Sequence, residues 1–186
     1  MADINSEAAL SERVAPAGPA SGEARTPPPA TDPHLLTLIE LLFFAYRDFT
    51  RDADAILSQL GLGRAHHRVL HFVDRHPGLR VADLLEILKI TKQSLAPVLK
   101  QLIDDGWIEQ QAGVEDRRVR RLRATAKGVN LARRLDQVQA KRVATALDAC
   151  GPGQESAARR FLFAMINGEE RARVETLLPE PAEIGR

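Results

Sequence analysis

The sequence predicts a mainly α-helical protein that carries one short, basic β-hairpin. Three observations predict it. Ala, Leu, Glu, Arg and Gln are abundant, a composition that favours helix. From His34 onward, apolar residues recur at steps of three and four through most of the chain. Only residues 107–123 break that rhythm. There, two short strand-like pieces flank a polar turn containing Gly113, and the return piece holds five arginines in seven residues.

At 186 residues the chain is one domain or two small ones. The single cysteine, Cys150, cannot form an intrachain disulfide, so nothing asks for an oxidising compartment. No apolar run approaches the ~18 residues a membrane span needs. No signal peptide is evident, so a cytoplasmic location is expected. The net charge of +1 conceals a segregation: −3 over residues 1–33, −2 over 34–63, +5 over 64–128 and +1 over 129–186. A basic middle between acidic or neutral ends suggests that the middle meets a polyanion.

Residues 1–33 are rich in Ala, Pro, Ser, Gly and Glu and lack apolar periodicity, which predicts a disordered tail. Residues 34–60 then read as a long helix. Leu35, Leu38, Leu42, Phe49, Ala53, Ile56 and Leu60 form one seam, and Leu36, Ile39 and Phe43 run beside it. A helix with two apolar faces needs two partners, its own domain and a second surface. Gly61 and Gly63 break it.

Three shorter helices follow. Residues 64–76 bury Val69, Leu70, Phe72 and Val73, and Pro77-Gly78 ends them. Residues 81–89 bury Leu84, Leu85 and Leu88. After a tight break at Ile90-Thr91, residues 92–105 place Leu95, Val98, Leu99 and Leu102 on one face. Pro97 lies inside this last helix, where a proline ordinarily costs about 3 kcal/mol. It falls on the face opposite the apolar stripe. Either the carbonyl it frees points outward at a bend, or Ser94 is the true cap and the helix starts late. Past the hairpin, Thr125 opens a helix to about Ala149, Gly151-Pro152-Gly153 breaks it, and a last helix spans about 155–178 until Pro179 and Pro181.

Helix, helix-turn-helix and basic hairpin, in that order, describe a winged helix. A helix fits the major groove of duplex DNA, where base edges are distinguishable. Arginines on a hairpin suit the narrow, strongly negative minor groove. The segment Glu115-Asp-Arg-Arg-Val-Arg-Arg-Leu-Arg-Ala-Thr-Ala-Lys-Gly128 is similar to the wing signature of the MarR family of transcriptional regulators, with Ala124 where that pattern has leucine. Leu84-Leu-Glu-Ile-Leu88 and Ile90-Thr-Lys-Gln-Ser94 resemble the family's helix-turn-helix. The likeness runs from about His34 to Leu178.

The resemblance implies a mainly α protein: a winged helix-turn-helix DNA-binding domain with a small β-hairpin wing, plus N- and C-terminal helices forming a dimerisation domain. The corresponding divisions are a tail (1–33), a dimerisation helix (34–60), the winged helix (61–127), C-terminal dimerisation helices (128–178) and a short tail (179–186). It implies a homodimer, with Leu35, Leu38, Leu42, Phe161, Leu162 and Met165 at the interface. It also implies double-stranded, pseudo-palindromic DNA as partner, usually for repression, with a small-molecule effector and no cofactor.

For DNA contact the polar face of the 92–105 helix offers Lys92, Gln93, Ser94, Pro97, Lys100 and Gln101, and Thr91 caps it with a hydroxyl that can also meet a phosphate. The wing offers Arg117 and Arg118 for the minor groove, with Asp116 orienting an arginine. Arg120, Arg121 and Arg123 alternate along the strand, so some face DNA and others pair with acidic groups.

Two other readings stay open. In one, the winged helix is a dimeric protein-interaction module that has lost DNA binding. In the other, His67 and His71, four apart on a helix, bind a metal; Val69, Leu70 and Phe72 around them favour packing instead. His66, beside them, could lie near the DNA backbone. In the family's peroxide-sensing branch a reactive cysteine lies near the start of the first long helix. Here residues 41–46 read Leu-Leu-Phe-Phe-Ala-Tyr, and Cys150 ends a different helix with no basic neighbour to lower its pKa. No Gly-rich phosphate loop, Gly-x-Ser-x-Gly motif or carboxylate pair suggests an enzyme.

Overall fold

A computed structural model describes residues 32–112 and 120–179. The chain runs α1 (Pro33–Ser58), α2 (Arg64–Arg75), β1 (Leu79–Arg80), α3 (Val81–Leu88), α4 (Lys92–Asp104), β2 (Ile108–Ala112), β3 (Arg120–Ala124), α5 (Ala126–Cys150), α6 (Glu155–Ala164) and α7 (Gly168–Leu177).

Helix starts follow local chemistry. Asp32 accepts from the His34 amide, and Pro33 supplies a φ suited to the first turn of α1. Thr125 caps α5 by accepting from the Gly128 amide at 3.1 Å. Between α3 and α4 the chain turns through Lys89, which adopts φ 52 as the left-handed cap of α3.

The core lies among α2, α3, α4, the sheet and the first half of α5. Leu70, Val73, Leu84, Leu95, Leu102, Ile108, Leu122 and Leu135 are fully buried there. From α1 only its second half joins: Thr50, Ala53 and Leu57 are its buried residues. The expectation that one apolar strip of the first helix would pack on its own domain therefore holds for that half alone. In the first half both strips are open, with Leu35 53% exposed, Leu42 40% and Phe43 69%.

Two sequence expectations are corrected. The hairpin is part of a three-stranded antiparallel sheet in the order β1-β3-β2. Leu79 pairs with Leu122 and Arg80 with Arg121, while Ile108 pairs with Ala124. A two-residue strand is too short to show alternation, so its sequence gave no sign of it. The last helix is two helices. Asn167, with φ −52 and ψ 135, interrupts it ahead of Gly168, and both residues are weak helix formers. The Arg171 side chain closes the break by donating to the carbonyls of Ala164 (2.7 Å) and Ile166 (3.0 Å).

Candidate nucleic-acid interface

Helix α4 presents its polar face to solvent because its apolar stripe is consumed by the core. Leu95, Leu99 and Leu102 are buried, whereas Lys92, Gln93, Ser94, Pro97 and Lys100 are exposed. The Thr91 hydroxyl accepts from the Ser94 amide at 3.2 Å, and the Thr91 carbonyl accepts from the Leu95 amide at 3.1 Å. Thr91 is thus the cap, and the late start at Ser94 is overturned. Pro97 is the sixth residue of the helix, inside it and facing outward. The carbonyl it leaves unpaired, that of Gln93, belongs to an exposed residue, so water can satisfy it.

Not every expected contact residue is equally free. Lys100 pairs with Asp104 one turn on. Gln101 is half-buried, and its side chain is held at both ends: His66 Nε2 lies 2.9 Å from its Oε1, and its Nε2 donates to the Gly61 carbonyl at 3.2 Å. Lys92 makes no ion pair among the described residues.

On β3 the side chains of Arg120, Arg121 and Arg123 are all exposed around buried Leu122. The expected pairing of some with acidic groups does not occur among the described residues; Arg121 instead donates to the Gly78 carbonyl at 3.3 Å. Arg117, Arg118 and Asp116 lie outside the described residues.

Strand β1 adds a residue that the sequence reading passed over. Arg80 opens α3 and is bound to Asp83, its Nε donating to the carboxylate at 2.8 Å. That hydrogen bond holds the Asp83 carboxyl below the usual carboxylate range. Only its place just before a helix bearing an acid three residues on could have marked it.

Helix and wing meet across an open trough of about 640 Å³. Arg80, Lys92, Lys100 and Arg120 stand around it, and Val81, Leu95, Ala96, Leu99 and Ile103 form its apolar floor. Side chains from β1, α4 and β3 are thereby gathered on one surface. Two of the four cations are already matched by Asp83 and Asp104; Lys92 and Arg120 are not matched among the described residues. Such a surface attracts a polyanion.

The His67–His71 pair is not arranged like a ligand set. Their rings meet edge to face, with centroids 6.5 Å apart. His71 Nδ1 lies 3.2 Å from an Asp136 carboxylate oxygen, and burial pushes His67 below its ordinary value. No group of three His, Cys, Asp or Glu that could hold a metal occurs among the described residues. Trp107 is buried, and Lys127 Nζ sits 3.7 Å from its ring centroid. No helix among the described residues is long and apolar enough to cross a membrane.

Comparison with known proteins adds to this geometry. The family model described as MarR family matches residues 60–119. The HTH-type transcriptional regulator PetP of Rhodobacter capsulatus is 46% identical over 147 residues, which are 79% of this chain and 89% of that protein. The solved structure of the Mycobacterium tuberculosis MarR family protein Rv2887 in complex with p-aminosalicylic acid is 29% identical, with a TM-score of 0.50, over 67% of this chain and 95% of that one. An E. coli MarR variant in complex with operator DNA shares the fold, with a TM-score of 0.53 at 19% identity, over 80% of this chain and all of that one.

Proposed function

Because the chain belongs to the MarR family of transcriptional regulators, we propose that it binds pseudo-palindromic duplex DNA as a homodimer and acts as a ligand-released repressor. In this reading α4 enters the major groove, with Lys92, Gln93, Ser94 and Lys100 toward bases and phosphates and Thr91 near the backbone. The hairpin lies along the neighbouring minor groove, where Arg117, Arg118, Arg120 and Arg121 supply positive charge and Asp116 orients an arginine. The observation that carries it is the shared basic trough, in which cations of α4 and β3 stand on one face.

Dimerisation is supported by apolar surface that a lone chain leaves wet. Leu35, Leu38 and Leu42 of α1 are 53%, 48% and 40% exposed, and Phe161, Leu162 and Met165 at α6 are 48%, 61% and 54% exposed. Large apolar side chains left exposed in such numbers mark an interaction site. Two winged helices related by a two-fold axis would address half-sites about one helical turn, ~34 Å, apart. The effector would enter between the winged helix and the C-terminal helices. A cleft of about 330 Å³ lies there, lined by Phe72 and Arg75 of α2, His76 just past its end, Ile87 of α3 and Val174 of α7.

Selection of bound duplexes from a random-sequence pool by the purified protein tests the reading. Enrichment of an inverted repeat with half-sites about one turn apart is expected. Recovery of no enriched sequence at low salt would overturn it.

A further inference from the structure

Gln101 was expected to read DNA, but its hydrogen bonds point to another task. We propose that His66 and Gln101 form a directional relay that positions α4 for DNA binding, so that both are positioning residues for operator recognition and neither touches a base. The proposal rests on the DNA-binding role given above.

The direction of the relay follows from its first donor. The Gly63 amide can only donate, and it points to His66 Nδ1 at 3.1 Å. Nδ1 is therefore an unprotonated acceptor, and the imidazole carries its one proton on Nε2. His66 Nε2 lies 2.9 Å from Gln101 Oε1, so that nitrogen donates and the amide oxygen accepts. The Gln101 amide nitrogen then donates to the Gly61 carbonyl at 3.2 Å. Each donor meets one acceptor, and reversing the Gln101 amide would place donor against donor at His66 and acceptor against acceptor at Gly61.

Among the described residues no other side-chain hydrogen bond joins these three pieces: the α1–α2 turn, the first turn of α2 and the third turn of α4. Gly61, with φ +67, and Gly63, the cap of α2, shape the turn so that its carbonyl and amide face the two side chains. Gln101 follows Lys100 directly and lies four residues after Pro97, so fixing its amide fixes the rotation of α4 that sets those two residues outward. The two bonds take one donor and one acceptor site of the amide and fix its orientation, so Gln101 is not free to turn its amide into the bidentate contact by which a glutamine reads adenine.

Measurements on the full chain test this, using a duplex enriched by the protein from a random pool. His66→Ala and Gln101→Ala should each weaken operator binding about three- to tenfold, the effect of one net hydrogen bond. The double variant should be no weaker than the worse single one, because each change breaks the same relay. The loss with Gln101→Ala should be uniform across single-base variants of the operator. His66→Gln should restore binding, since a glutamine at this third helical position can accept from the cap amide and still offer a donor. Nitrogen NMR of the His66 ring should show a proton on Nε2 and none on Nδ1.

Additive losses, or a loss with Gln101→Ala confined to one base pair, would overturn the relay and return Gln101 to base reading. So would a His66 ring protonated on Nδ1. If an alanine variant melts early, His66→Gln and the ring tautomer still decide. Wild-type protein that binds no duplex would instead strike the DNA-binding reading itself.

Discussion

Gly128→Ala tests how the wing is joined to the long helix that follows it. Gly128 lies on the first turn of α5, against the backbone of Trp107. A methyl group built there would sit 2.0 Å from the Trp107 carbonyl oxygen and 3.1 Å from its carbon. Real Cβ contacts do not fall below 3.0 Å, so at least 1 Å must open between α5 and the start of the outgoing strand. The carbonyl cannot simply withdraw. It accepts from the Thr125 amide at 3.1 Å and the Thr125 hydroxyl at 3.3 Å, the residue that caps α5. Overpacking of this kind costs about 1–3 kcal/mol, and losing the amide bond adds about 1 kcal/mol. Alanine's better helix propensity returns about 1 kcal/mol. The net expectation is a loss of about 1–3 kcal/mol, or a fall in Tm of several degrees at fixed protein concentration. Urea melts of Gly128→Ala beside Gly168→Ala measure it, because Gly168 has nothing within 4 Å of its would-be Cβ. If Gly128→Ala proves as stable as the wild type, or more stable, the close approach does not matter and the reasoning fails.

Other expectations can be checked as directly. Leu38→Glu combined with Leu42→Glu should turn a dimer into a monomer in sedimentation, since it places four charges on the apolar seam of a dimer; an unchanged dimer would locate the interface elsewhere. Burial holds His67 neutral below the ordinary 6.5, so the unfolded chain takes up that proton first. Stability should therefore fall as pH drops through 6.5, until the folded-state imidazole itself protonates, and His67→Gln should flatten that part of the curve in urea melts from pH 7.5 to 5.5. Pro97→Ala should leave the dimer folded and alter operator affinity or preference; an identical operator profile would make the proline merely tolerated.

Much of the fold was legible because amphipathic helices write their period into the sequence. The stripe Leu95, Leu99 and Leu102 located α4, and Thr91 was one of the two starts its residues allowed. Strand β1 was not legible, since two residues have no period, and its pairing with β3 is a tertiary event. The break at Asn167 was hidden because Ile166 and Val174 continue an apolar pattern across it. At the candidate site, residue types gave the polar face of α4 and the exposed arginines of β3. They could not give the engagement of Gln101, which depends on His66, 35 residues away in sequence, or the pairing of Arg80 with Asp83 beside the trough.

In the proposed binding mode, α4 and the hairpin strand meet the same DNA. Fluorescence anisotropy of a selected operator, titrated across a range of salt, tests it most directly. The wild type should bind as a dimer with a steep slope of log affinity against log salt, set by release of about 7 counterions. Lys92→Ala and Arg120→Ala should each reduce affinity and flatten the slope by about two, one contact from each subunit. A wild-type slope near zero, or identical slopes for all three proteins, would contradict it.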